Sequence, residues 1–300
     1  MATTPISARS DGPTSRPRRR PRGRVSDLPL VGGGLVAGDT SVCVGASLPP
    51  VLVSLPEAHE LGPESPLAVQ GACAIEVFAG ECVFTLGMLM AKVPCCKPWD
   101  SQYGHQYDVL QHGQVLHALL RERILVLVHL APPCQSMTWV RSPQLRSRDH
   151  PLGLPVLLES QRRLVEKGNA LAQFSSELCL TALSCGAYFS LENPCRSWIW
   201  ALPGMREVAS QSGVIFTCIR YRDFGMCYVK PTASLDNLPT LHQLADVQHP
   251  ANLPLVPLRG WIRLGSKFVA RTHLASMYPP ELGKCFGCCV SSSLALRDVA

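Results

Sequence analysis

Ile124-Leu-Val-Leu-Val-His-Leu130 runs straight into Ala131-Pro-Pro-Cys134-Gln135. The first part is apolar without alternation and rich in β-branched residues, which reads as a strand buried on both faces. The two prolines stop it. The same grammar recurs on either side. Upstream, Cys73-Ala-Ile-Glu-Val-Phe78 ends at Ala79-Gly80, a strand and then a turn. A helical period follows over 83–92, then a weaker strand over 93–99 ended by Asp100, then a helix over 114–123 with Val115, Leu116, Leu119 and Leu120 on one face. Downstream, a long helix is expected over 159–185 and a strand over 187–191 stopped by Glu192-Asn193-Pro194. A helix around Trp198 and Trp200 spans 197–210, breakable at Pro203-Gly204, and a strand covers 214–219. Strands alternating with helices at this spacing predict an α/β fold, a mostly parallel sheet flanked by helices. No internal repeat is present.

In such sheets ligands bind beyond the carboxyl ends of the strands. That rule selects residues 76–80, Asp100, 131–135, 192–194 and 221–230 before any chemistry is considered. Cys134 stands at a strand end on a loop held by two prolines, where a thiol is positioned for attack. Its reactive form is the thiolate, so it needs local positive potential; Arg141, Arg146 and Arg148 follow on the same loop. Glu192 emerges from an apolar strand, and desolvation lets a carboxyl act as an acid near neutral pH. Asn193 and Pro194 equally suit the start of a helix. Glu76-Val77-Phe78-Ala79-Gly80 is a strand followed by small residues and a helix, which lets a nucleotide-like ligand approach the backbone. The chain has neither GxGxxG nor a GKS/GKT phosphate loop. Asp100, about twenty residues on, is placed to bind ribose hydroxyls.

The 300 residues suffice for one large domain with a sizeable core. The apolar fraction of 46% predicts that most of the chain folds, while 23 Gly and 26 Pro predict a loop-rich fold with a disordered part. Residues 1–24 hold seven of the 28 basic residues and one of the 22 acidic ones, so the remainder of the chain is electrically balanced. The body therefore lacks the basic character of a strong nonspecific DNA binder. We expect 1–70 to be a disordered basic tail and Gly/Pro-rich linker, and 71–300 to be the folded domain. The Arg-rich tail suits nuclear import, a nucleic-acid tether or a solvated segment; it implies a nuclear location in a eukaryote and a cytoplasmic one otherwise. No long apolar stretch free of polar breaks suggests a membrane span. The 14 cysteines sit largely in apolar runs without a secretory leader, so free buried thiols are expected over a disulfide framework.

Phe78-Ala79-Gly80, Pro133-Cys134-Gln135 and Glu192-Asn193 resemble, in order and approximate spacing, the cytosine-C5 DNA methyltransferases. The chain looks closest to a compact, divergent branch found in phages and mobile elements. Phe224-Gly225, Lys230-Pro231-Thr232 and Ala275-Ser-Met-Tyr278-Pro279-Pro280-Glu281-Leu282 extend the likeness over about 72–290. The resemblance implies a Rossmann-like methyltransferase fold using S-adenosylmethionine. Cys134 would attack C6 of cytosine and Glu192 would assist at N3. Glu76, Phe78, Ala79, Gly80, Asp100 and Pro133 would line the cofactor, with Phe78 at the adenine and Asp100 at the ribose. Gln135, Asn193, Arg141, Arg222 and Lys230 would contact the substrate. The expected partner is DNA, single-stranded or read with weak sequence specificity, because about 45 residues between Lys230 and Ser276 leave little space for a target-recognition domain.

Competing readings are each tied to residues. Glu81-Cys82-Val83 follows where the family carries further glycine, which suits a catalytically degenerate domain that only binds nucleic acid. An amino-group methyltransferase would carry a polar residue where Ala131 stands and an aromatic where Cys134 stands. A zinc site could start from Cys285 and Cys288 but lacks a second half-site, so no metal is expected. His129 reads as a core histidine. Lys167-Gly168-Asn169 inside the long helix carries no chemical reading.

Overall fold

The computed structural model describes residues 52–53, 72–248, 254–264 and 267–297, all within one compact unit spanning Leu48–Ala300. The basic tail at 1–24 and most of the expected linker lie outside the described residues. In chain order the elements are β1 (Leu52–Val53), β2 (Cys73–Val77), α1 (Val83–Met90), β3 (Cys95–Cys96), α2 (Val109–His112), α3 (Gln114–Arg121), β4 (Leu125–Leu130), α4 (Glu159–Ser184) and β5 (Tyr188–Pro194). They continue with α5 (Pro203–Ala209), β6 (Ile215–Arg220), β7 (Pro231–Asp236), the hairpin β8 (Trp261–Leu264) and β9 (Lys267–Ala270), and α6 (Pro280–Arg297).

The main sheet runs β1-β3-β2-β4-β5-β7-β6. β1 to β5 are parallel, and β7 is antiparallel to both neighbours. This is the mostly parallel, helix-flanked, Rossmann-like α/β architecture expected from the sequence. Every residue of β2 is buried, as a central strand covered on both faces requires. β6, at the edge, alternates and leaves Ile215 and Phe216 exposed. One apolar cluster joins the sheet to α3, α4 and α5 through Leu116, Leu120, Phe174, Leu178 and Met205. A second joins it to α1 and α6 through Phe84, Met88, Leu282 and Phe286. No described helix is long and apolar enough to cross a membrane.

α1 and α6 meet backbone to backbone. A Cβ at Gly87 would stand 1.8 Å from the Gly283 carbonyl oxygen, and one at Gly287 would stand 2.0 Å from that of Gly87. Only glycine permits this approach, so α6 is clamped against the first helix after the central strand.

Several expectations are corrected. The strand expected to stop at Leu191 continues through Glu192-Asn193-Pro194, because β7 pairs with it up to Pro194↔Thr232. β7 itself was not expected. Its Thr232, Ser234 and Asp236 are buried polar residues, so it shows no apolar signature. The helix expected over 197–210 splits into a 3-10 turn (Trp198–Ala201) and α5, with Pro203 opening the new helix. Cys73 and Cys96, on neighbouring segments of β2 and β3, are joined as a disulfide, whereas eleven other described cysteines are free thiols.

Candidate active site

The ends of β2, β3, β4 and β5 place Phe78–Gly80, Asp100, Cys134 and Glu192 along one edge of the sheet. The start of antiparallel β7 brings Lys230 and Thr232 to the same edge. Cys134 is half-buried in a tight turn whose carbonyl accepts from the N–H groups of Met137 and Thr138 at 2.9 and 3.0 Å. Asn193 Nδ2 donates to the Pro132 carbonyl at 2.8 Å, tying this loop to β5. Trp198 N donates to the Met137 carbonyl at 2.8 Å, and Thr138 bridges Ser197. The loops after β4 and β5 are thus stitched together, which carries Cys134 toward Glu192.

Burial pushes the Cys134 thiol above its ordinary pKa; Lys230 opposes that rise and Glu192 adds to it. The thiol therefore lies in the fields of one ammonium and one carboxylate drawn from β7 and β5. The Arg141, Arg146 and Arg148 expected to supply the positive potential are not its charge partners; Lys230 is. Lys230 Nζ donates to the Tyr221 hydroxyl at 3.0 Å and lies 4.4 Å from that ring's centroid and 5.7 Å from that of Tyr278.

Glu192 is buried and accepts from two hydroxyls, Thr232 on one oxygen and Tyr278 on the other. Burial raises the Tyr278 pKa well above the phenol range, and Glu192 adds to it, so Tyr278 is a protonated donor at neutral pH. Beside Glu192 lies a cavity of about 20 Å³ lined by His129, Ser190, Ser234, Phe84 and Phe286 among others. That is room for one water. His129 Nδ1 pairs with Ser190 Oγ at 2.9 Å, its ring stands 4.0 Å from Phe84, and burial drives its pKa to about 3. It is a neutral core histidine.

The turn after β2 is unusual. Phe78 and Cys82 adopt φ of 62° and 56°, and Gly80 of 50°. Asp100 fastens it, accepting from Gly80 N at 3.1 Å and from Gln102 N at 3.0 Å. Gln102 and Tyr103 donate to the Gly80 carbonyl. Glu76 lies beneath the turn, 1% exposed, accepting from Thr85 N and Oγ1 at 2.6 and 2.5 Å. Burial lifts its pKa to about 7. The chemistry of this edge fits a nucleoside: a Cβ at Gly80 would meet nothing within 4 Å, Phe78 is half-exposed, and the two acceptor oxygens of Asp100 have lone pairs beyond those already engaged. Glu76 supports the turn from within instead of facing that space.

The remaining candidates fall apart spatially and in role. Gln135 and Pro133 are exposed on the Cys134 loop, Arg141 is half-buried further along it, and Arg222 is half-buried after β6. Arg146, 1% exposed, is the pivot of that loop. It donates to the carbonyls of Ser136, Pro151 and Val165, to Ser136 Oγ and to Asn169 Oδ1. Burial lowers its pKa to about 10. Gly168 gains a reason here, since a Cβ would stand 2.3 Å from Ser136 Oγ. Thr232 and Tyr278 stand in quoted motifs and Tyr221 within 221–230, but the Thr232 role depends on the β5–β7 pairing and Tyr278 reaches Glu192 from the segment before α6, and no local sequence signal marks either contact. Cys285, Cys288 and Cys289 lie on α6, and among the described residues no three His, Cys, Asp or Glu gather as a metal site.

No protein-family model matches the chain, and no curated protein does. Among solved structures it is similar to the S. pombe Dnmt2 methyltransferase, with a TM-score of 0.33 and 15% identity over 63% of this chain and 60% of that one. It thus spans less than two thirds of that protein's length. It is also similar to the Entamoeba histolytica methyltransferase EhMeth, with a TM-score of 0.35 and 10% identity over 76% of this chain and 99% of that one. At these values neither likeness bears on substrate or reaction.

Proposed function

We propose that the chain is a methyltransferase acting on C5 of cytosine in DNA, with Cys134 as the nucleophile and Glu192 as the acid. The observation that carries this reading is the grouping of thiol, carboxylate and ammonium from the ends of β4, β5 and β7. The target base must first leave its stack, at about a few kcal/mol. The Cys134 thiol gives its proton to the Glu192 carboxylate, the Lys230 charge favouring the thiolate, and the sulfur adds to C6. Glu192 delivers a proton or hydrogen bond to N3, which makes C6 electrophilic. Asn193 and Arg146 hold the two loops so that sulfur and carboxyl address one ring. Phe78, Ala79, Gly80 and Asp100, with Pro133 across the edge, would hold S-adenosylmethionine. When bound, that cofactor supplies an electrophilic methyl group. Water finally takes the C5 proton as the sulfur–C6 bond breaks, N3 returns its proton to Glu192, and the departing Cys134 thiolate is reprotonated from there.

The test is transfer of labelled methyl to cytosine-containing oligonucleotides. Cys134→Ser should abolish it, and Glu192→Gln should lower it about 10²- to 10⁴-fold. Undiminished transfer by Cys134→Ser overturns the reading.

A second reading is favoured by one observation. Thr232 and Tyr278 already donate to both Glu192 oxygens, and the cavity beside Glu192 is too small for a base. A chain in which Tyr278 never yields would be a nucleic-acid-binding domain without catalysis. Cofactor binding without any methyl transfer would favour it.

A further inference from the structure

Beside the Cys134 loop lies a cleft of about 520 Å³ that contains neither Cys134 nor Glu192. Trp139 and Gln144 form one wall, and Arg196, Trp198, Trp200 and Arg206 line the rest. No acidic residue borders it. Its floor is the stitch already described, where Trp198 N meets the Met137 carbonyl and Thr138 bridges Ser197. Trp200 is committed to that floor: its Nε1 donates to the Pro194 carbonyl at 2.9 Å, and its ring packs edge-on against Phe216. Trp139 is not. It stands five residues beyond Cys134, is 42% exposed, and has the Arg196 guanidinium 5.1 Å from its ring centroid. Arg162, Arg163 and Arg220 each sit against a carboxylate, whereas among the described residues Arg196 and Arg206 do not.

We propose that this cleft binds an unpaired stretch of polynucleotide, one base stacked on Trp139 and its phosphates held by Arg196 and Arg206. The inference rests on the reading that Cys134 and Glu192 take a pyrimidine from such a strand. An exposed indole with a guanidinium beside it suits a single strand, whose bases offer free π-faces, and not a duplex, whose bases are already stacked. Charge balance agrees. Arg196 and Arg206, in a body whose charges balance overall, neutralise a phosphate or two but not the run of phosphates that duplex binding uses. Continuity with the Cys134 and Glu192 loops places the stacked base next to the nucleotide presented for chemistry.

The test is fluorescence anisotropy of the full chain with a labelled single-stranded deoxyoligonucleotide and with the matching duplex, without methyl donor. The single strand should bind about tenfold or more tighter than the duplex. Trp139→Ala should erase about tenfold of single-strand affinity, and Trp139→Phe should restore most of it. The double substitution Arg196→Gln with Arg206→Gln should weaken binding and flatten its salt dependence. Differences are read between variants that all keep the N-terminal arginines, so the tail cancels. Equal affinity for the two forms, or unchanged single-strand binding by Trp139→Ala, overturns the proposal. If Trp139-dependent strand binding holds but no methyl is transferred, the catalytic reading has failed and this one stands. If methyl is transferred and Trp139→Ala neither weakens strand binding nor slows transfer, the catalytic reading stands and this one has failed.

Discussion

Replacing Glu76 by Gln should stabilise the protein, and only above a particular pH. The Glu76 carboxyl is buried on β2, with Thr85 as its donor and Oε1 without a partner. Burial dominates and lifts its pKa from 4.5 to about 7, against the smaller lowering effect of Thr85. In the unfolded chain this proton leaves near 4.5; in the native state it stays until about 7. Between those values the native state binds more protons, so stability falls as pH rises. Above the window the accumulated loss is roughly 3 kcal/mol, taking 1.36 kcal/mol for each pH unit between the two values. Glu76→Gln keeps the shape and an acceptor for Thr85 and has no proton to lose. Chemical denaturation of the full chain across that range should give a variant-minus-wild-type difference near zero below the window, growing to as much as roughly 3 kcal/mol above it. Asp236, also raised to about 7 by burial, is present in both proteins and cancels. A difference that does not change with pH, or a variant less stable above the window, would refute the reasoning.

Three further outcomes follow from the packing and the charges. Arg146→Met leaves the buried carbonyls of Ser136 and Val165 without their donor and should cost about 1–3 kcal/mol of unfolding free energy for each, with faster proteolysis of the 134–155 loop. Gly287→Ala forces a methyl to within 2.0 Å of the Gly87 carbonyl and should destabilise by about 1–3 kcal/mol, measured by thermal unfolding; an unchanged midpoint would contradict the α1–α6 contact. Lys230→Met removes the charge that holds the Cys134 pKa down, so iodoacetamide labelling of Cys134 at fixed pH should slow by about tenfold for each unit gained; faster labelling would exclude Lys230 as its charge partner.

The parallel half of the fold is legible because its strands are buried on both faces and advertise themselves. Ile124 to Leu130 and Cys73 to Val77 could hardly be anything else. The carboxyl-edge rule then picks Cys134, Glu192, Asp100 and the Phe78 turn without any geometry. The antiparallel half is silent for the opposite reason. Pro231-Thr-Ala-Ser-Leu-Asp236 buries polar side chains, Thr232 against Glu192 and Asn193 of β5 and Asp236 against Leu238 N, so no apolar run marks it as a strand. The roles of Thr232, Tyr221 and Tyr278 inherit that silence. Arg146 is similar: on a basic loop it reads as a source of positive potential for the Cys134 thiol until the carbonyls surrounding it are seen.

The claim that sulfur and carboxyl serve a single pyrimidine is tested most directly by trapping. An oligonucleotide carrying 5-fluorocytosine, incubated with the full chain and S-adenosylmethionine, cannot eliminate fluorine as it would a proton, so a sulfur–C6 bond should persist. Peptide mass spectrometry is expected to locate that bond on Cys134 and to lose it in Cys134→Ser. A persistent adduct on any other cysteine, or none at all from a chain that demonstrably holds both ligands, would contradict it.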